Sequence, residues 1–124
     1  MIHSYKELIV WQRAMELVTE VYAVTERFPK DEKYGLISQM RRAAVSVPSN
    51  IAEGRHRGTK KEFVNFLRIA LGSVGELETQ LEISKRLPSI ELPNCEHMES
   101  LLLETEKMLR SMITKLNPRE AIEA

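Results

Sequence analysis

Prolines and glycines cut this chain into four stretches, and within each stretch apolar residues return every three or four positions rather than every two. The breaks fall at Pro29, Gly35, Pro48, Gly54, Gly58, Pro88, Pro93 and Pro118, while Gly72 and Gly75 lie inside a stretch. A period of three to four marks helices that bury one stripe, and no segment alternates as a strand does. Stretches of about 20 residues joined by short loops force antiparallel neighbours. The chain is therefore expected to be all-α, an antiparallel up-down-up-down four-helix bundle forming a single domain over residues 1–124. The helices are placed at about 6–27, 33–54, 60–87 and 93–116.

Local signals refine this outline. Ser4 and Glu7 form a capping box at the start of helix 1, and Thr59 and Glu62 form another at helix 3. Helix 1 carries two adjacent apolar stripes. One is Val10, Ala14, Leu17, Val21, Val24 and Phe28; the other is Leu8, Trp11, Met15, Val18 and Tyr22. A bundle helix usually buries one face, so the second stripe points to packing beyond the helix's own bundle. Pro48 sits inside helix 2 and predicts a kink or break between Ala44 and Pro48. Gly72 and Gly75 each cost helix 3 about 1 kcal/mol relative to alanine. Close packing on helix 2 is the expected reason, with Arg41 or Arg42 pairing with Glu76 or Glu78 as a structural polar network. The tail after Pro118 is expected to fray.

Composition narrows the class. Hydrophobic residues make up 43% and charged residues 29%, an ordinary globular balance. The formal net charge is zero, so no global field draws the chain to nucleic acid or lipid. A single cysteine, Cys95, excludes an internal disulfide and suits a reducing, cytoplasmic setting. The N-terminus lacks the pattern of a signal peptide, and no apolar run is long enough to span a membrane.

Neutrality hides a segregation. Residues 41 to 68 hold seven basic side chains against two carboxylates, whereas residues 76 to 124 hold ten carboxylates against six basic groups. The positive charge gathers at the tip between helices 2 and 3, Arg55-His56-Arg57-Gly58-Thr59-Lys60-Lys61. Arg55, Arg57, Lys60 and Lys61 are the candidate nucleic-acid contacts. The start of helix 3 adds free N–H groups and a positive dipole end at the same place. A solvated basic loop is the plainer interpretation. The tip itself holds no aromatic residue for base stacking.

Catalytic and cofactor patterns are missing. Glu53-Gly54-Arg55-His56 is a single Glu-x-x-His, and a di-metal bundle needs two. Cys95-Glu96-His97 is too crowded for ligand spacing. No phosphate-cradling or dinucleotide loop occurs. Helical ribonucleases of the HEPN class place an arginine four to six residues before a histidine. None of His3, His56 and His97 has one. No catalytic residue, metal, cofactor or small-molecule substrate is therefore expected.

Several runs resemble the four-helix-bundle family of 23S rRNA intervening-sequence proteins, the S23 family. They are Val10-Trp11-Gln12-Arg13-Ala14-Met15, Phe28-Pro29 with Glu32, Tyr34, Gly35 and Leu36, and the long run Ser38-Gln39 with Arg41 through Gly54. Helix 3 adds Glu62-Phe63, Phe66 through Ser73 and Glu76 through Leu81. The resemblance spans Tyr5 to Leu87, and helix 4 matches only in pattern. It implies an up-down bundle assembling as a homopentamer, with no established enzymatic activity. It also implies a more remote relative, the accessory protein of diversity-generating retroelements, thought to bind nucleic acid and a reverse transcriptase. The combined expectation is a non-catalytic, self-assembling bundle that binds RNA or a ribonucleoprotein through the basic hairpin. A purely protein-binding scaffold is the alternative, and an unfamiliar ribonuclease is the third.

Overall fold

A computed structural model describes residues 4–117, apart from the side chains of Lys33 and Tyr34. Four helices carry the fold: α1 (Ile9–Thr25), α2 (Ser38–His56), α3 (Lys60–Arg86) and α4 (Glu96–Leu116). No strand occurs among the described residues. The frayed tail expected after Pro118 lies outside them.

Neighbouring helices run in opposite directions, as the cross-helix contacts show. Between α1 and α4, Arg13 meets Glu104 (2.6 Å) and Glu20 lies 4.0 Å from His97. Between α3 and α4, Lys85 meets Glu99 (2.6 Å) while the earlier Glu78 meets the later Glu106. Between α2 and α3, Met40 Sδ touches Ser84 Oγ (3.7 Å) and Ser46 Oγ bonds Ser73 Oγ (2.8 Å). The antiparallel bundle read from the loop lengths is the fold.

The inner stripes form one core. Val10, Ala14, Leu17, Val21 and Val24 of α1 face Met40, Ala44, Val47 and Ile51 of α2. Leu67, Ala70, Val74, Leu77 and Leu81 of α3 and Met98, Leu101, Leu102, Leu109 and Ile113 of α4 complete it. Burial at this scale is the main source of stability, at roughly 25 cal/mol per Å² of apolar surface.

Several boundaries differ from expectation. Ser4 accepts from Lys6 N (3.1 Å), but it caps a 3₁₀ turn at Tyr5–Glu7 instead of a long helix. Leu8 then turns extended, and α1 begins at Ile9. Asn94 Oδ1 accepts from Glu96 N (2.8 Å), and α4 begins at Glu96, three residues later than the expected 93. Helix 2 is preceded by a 3₁₀ turn at Lys30–Glu32 and a π turn at Lys33–Ile37. The break in helical dihedrals falls there, at Gly35 (φ −100°, ψ −107°), and not at Pro48. Pro48 is buried inside an unbroken α2. Losing one N–H from a helix held by packing on two sides does not end it.

The glycine expectation is also corrected. A Cβ at Gly72 or Gly75 would meet nothing within 4 Å, because both lie on the exposed side of α3. The close approach is at Gly54, where a Cβ would stand 2.6 Å from Phe66 Cβ and 3.2 Å from Phe63 Cδ1. Helix 2 extends past Gly54 to His56, and the contacts Met40–Ser84 and Ser46–Ser73 set the register of α2 on α3.

The expected polar network is likewise rearranged. Arg41 does not reach α3. Its Nε donates to Thr25 Oγ1 (2.9 Å), its Nη2 meets Glu26 (3.2 Å), and its guanidinium lies 4.4 Å from the Tyr22 ring centre. Thr25 is fully buried and donates to Val21 O (2.7 Å). Arg41 therefore ties α1 to α2. Arg42 and Glu76 are exposed and have no ion pair among the described residues. Glu78 faces not an arginine of helix 2 but another carboxylate, Glu106. Partial burial, then a hydrogen bond and repulsion from Glu106, raise the Glu78 carboxyl above the usual carboxylate range. Arg110, which reaches Glu106 at 3.4 Å, offsets this in part.

Gly54→Ala should lower stability by about 1–3 kcal/mol through overpacking. Gly72→Ala and Gly75→Ala should each raise it by up to about 1 kcal/mol; urea melts of the three variants check both signs. A carboxyl whose folded-state pKa is raised contributes stability below its unfolded value and loses it as pH rises through the folded value. Glu78→Gln carries no such charge, so its melting temperature relative to the native chain should climb from about pH 4 to about pH 7. An unchanged difference across that range would show that burial beside Glu106 does not raise the Glu78 carboxyl.

Candidate nucleic-acid interface

The basic hairpin is built by three residues that turn the chain. The Arg57 N–H bonds back to Glu53 O (3.1 Å) and Gly54 O (3.3 Å), closing α2. Gly58 takes φ +89°, a left-handed conformation that costs any residue with a Cβ about 1–2 kcal/mol. Thr59 is extended and caps α3: its Oγ1 accepts from Glu62 N (3.1 Å) and donates to Glu62 Oε1 (3.1 Å). A turn this short gathers Arg55, Arg57, Lys60 and Lys61 at one end of the bundle.

The four cations differ in how far they are committed. Arg57 Nη2 meets Glu53 (2.8 Å) and its Nη1 lies 3.7 Å from Glu62. Its guanidinium also stands 5.0 Å from the Phe66 ring centre. The Glu53 hydrogen bond is the main reason its pKa is raised. Arg57 thus clamps the hairpin. Lys60 and Lys61 are exposed on the first turn of α3 and have no carboxylate partner among the described residues. Arg55 is exposed on the last turn of α2.

Beside the lysines lies an open surface cleft. It measures ≈ 420 Å³ and is lined by Lys60, Lys61, Val64, Asn65, Arg68, Leu116 and Asn117. Arg68 Nη1 donates to Asn65 Oδ1 (3.4 Å) on its wall. The free N–H groups of the α3 start lie in the same first turn as the lysines and favour anions. Glu62 in that first turn takes up part of this field.

His56 Nδ1 lies 2.9 Å from Ala52 O. A carbonyl only accepts, so Nδ1 carries a proton and donates it. Glu53 turns to Arg57, which separates it from His56 as a metal ligand. No group of three or more His, Cys, Asp or Glu able to hold a metal occurs among the described residues. Cys95 is buried, donates to Pro93 O (3.3 Å), and has its thiol pushed up chiefly by burial, the reverse of an activated nucleophile. None of the helices over the described residues is long and apolar enough to cross a membrane.

Sequence reasoning missed one component. The Tyr5 ring centre lies 5.3 Å from that of His56, with the planes at 55°, and 5.3 Å from that of Trp11, at 69°. The 3₁₀ turn brings Tyr5 there, and Gln12 Nε2 donating to Lys6 O (2.9 Å) pins it to α1. Aromatic rings therefore do adjoin the basic tip. Ser4 and Glu7 signalled a helix start, and a continuous helix from there leaves no reason to place Tyr5 beside α2.

The comparisons with known proteins agree with the fold. A crystal structure from Bacteroides thetaiotaomicron VPI-5482, described as a protein with unknown function from the S23 ribosomal protein family, is similar at a TM-score of 0.70 and 25% identity. The match covers 86% of this chain and 96% of that one. No curated protein matches. The model of the family described as 23S rRNA-intervening sequence protein matches residues 6–111, nearly the whole bundle. The chain belongs to the 23S rRNA-intervening sequence protein family.

Proposed function

We propose that this protein is a non-catalytic, self-assembling bundle of the cytoplasm that binds RNA, or an RNA–protein complex, through Lys60, Lys61 and Arg55. The observation that carries this is the pair of exposed lysines without a carboxylate partner among the described residues, set on the N-terminal turn of α3. Phosphate neutralises such a pair at little desolvation cost, and the helix end adds attraction. Arg57 supports the site by holding the turn instead of contacting the ligand.

Self-assembly is supported by a second observation. Met15 and Tyr22 of α1 and Val45 of α2 remain 40%, 43% and 41% exposed. Tyr22 and Val45 line one groove of ≈ 690 Å³ on the α1–α2 side. Trp11 and Val18 pack partly on the core, so the second stripe of α1 is half covered by its own bundle. A second copy fits what remains, and the family resemblance suggests a pentamer. In a ring the lysine pair is repeated by symmetry and its field adds, which compensates for a neutral chain.

Titration of a structured RNA at two salt concentrations tests the binding. Affinity should fall with salt, and Lys60→Ala with Lys61→Ala should weaken binding and flatten the log–log slope by about 0.7–0.9 per lost contact. No affinity at low salt, or none lost in the double variant, would leave a purely protein-binding scaffold. Cleavage of that RNA would instead support a ribonuclease. Light scattering should give a mass several times that of one chain, and a monomer mass would remove the self-assembly.

A further inference from the structure

We propose that the hairpin recognises unpaired bases, with Tyr5, Trp11 and His56 as a stacking platform beside the lysines that hold the phosphates. Base stacking here presupposes the RNA binding proposed above and names the class of RNA: single-stranded segments, loops or ends.

Three observations lead to it. Tyr5 and Trp11 are half-buried and His56 is exposed. Their planes meet at 55° and 69°, so they contact one another by edges and not by parallel faces. Rings that meet by their edges do not cover one another's faces, which is the surface a flat base stacks on. His56 is held in one orientation by its bond to Ala52 O, and Tyr5 by the 3₁₀ turn, so little order is lost on binding.

The charges stand at a fitting distance. Lys60 follows His56 by four residues, so its Cα lies within about 14 Å of the histidine's, and Lys61 follows directly. A strand whose bases lie on the rings thus has its phosphates within reach of long basic side chains. Duplex RNA presents no unstacked base and offers this platform nothing beyond phosphate. A neutral chain also gains little from long-range attraction, which makes a contribution from stacking more important to its affinity. The cleft formed by Lys60, Lys61, Asn65 and Arg68 gives a strand leaving the platform a basic path toward the end of α4.

Trp11 is the only tryptophan, so its fluorescence reports on the platform. A short oligouridylate and a duplex RNA of equal phosphate content are titrated at low salt into the full chain. Binding of each is measured independently by anisotropy of an end label. The oligouridylate should bind more tightly and quench Trp11, while the duplex binds weakly without quenching. Tyr5→Ala should cost about 5- to 100-fold in oligouridylate affinity, and Tyr5→Phe should restore it. Circular dichroism of both variants checks that the helices persist, and His56→Ala provides a second loss on an exposed helical position. If the two RNAs bind alike and neither Tyr5→Ala nor His56→Ala weakens the oligouridylate, the platform is overturned while phosphate binding stands. If neither RNA binds, or if Lys60→Ala with Lys61→Ala changes nothing, RNA binding at the hairpin falls and the platform with it.

Discussion

The contact of Gly54 with Phe63 and Phe66 sets the geometry on which the hairpin depends. Only a hydrogen at Gly54 lets α2 come this near the first turns of α3. The left-handed Gly58 followed by the Thr59 cap makes the connection between them short. Arg57 then seals the arrangement from outside with two carboxylates and an aromatic face. The lysines protrude because the residues around them are occupied in holding the turn.

Much of the architecture is legible in the chain because it rests on local rules. The four core stripes follow from periodicity, and the Thr59 cap follows from a four-residue pattern. The misplacements arise where tertiary packing overrides a local preference. Pro48 reads as a break, yet α2 packs between α1 and α3 and continues through it. Gly72 and Gly75 read as a close approach, yet close approach depends on register, and register depends on where the turn begins. Arg41 faces α1 because the long connection from Thr25 to Ser38 lets α2 start beside the end of α1. No pattern within α2 or α3 encodes that.

The candidate site divides in the same way. Its charges lie within seven consecutive residues and are visible at once. Their unequal availability is not, because Glu53 and Glu62 select Arg57 by helical spacing across a turn. The aromatic neighbours come from the opposite end of the sequence. Tyr5 joins His56 only through the 3₁₀ turn that replaces the start of the expected helix. A boundary shift of a few residues thus changes the chemistry assigned to a surface fifty positions away.

The two bare glycines in the middle of α3 have a mechanical consequence. At 27 residues α3 is the longest helix, and its outward side carries no side chain at Gly72 or Gly75. Those turns receive the least help from intrinsic helix propensity, so their order comes from Ser73, Val74 and Leu77 on the inward side. α3 is a beam braced along one flange: stiff where it faces the core, and compliant toward anything that presses on its outer surface.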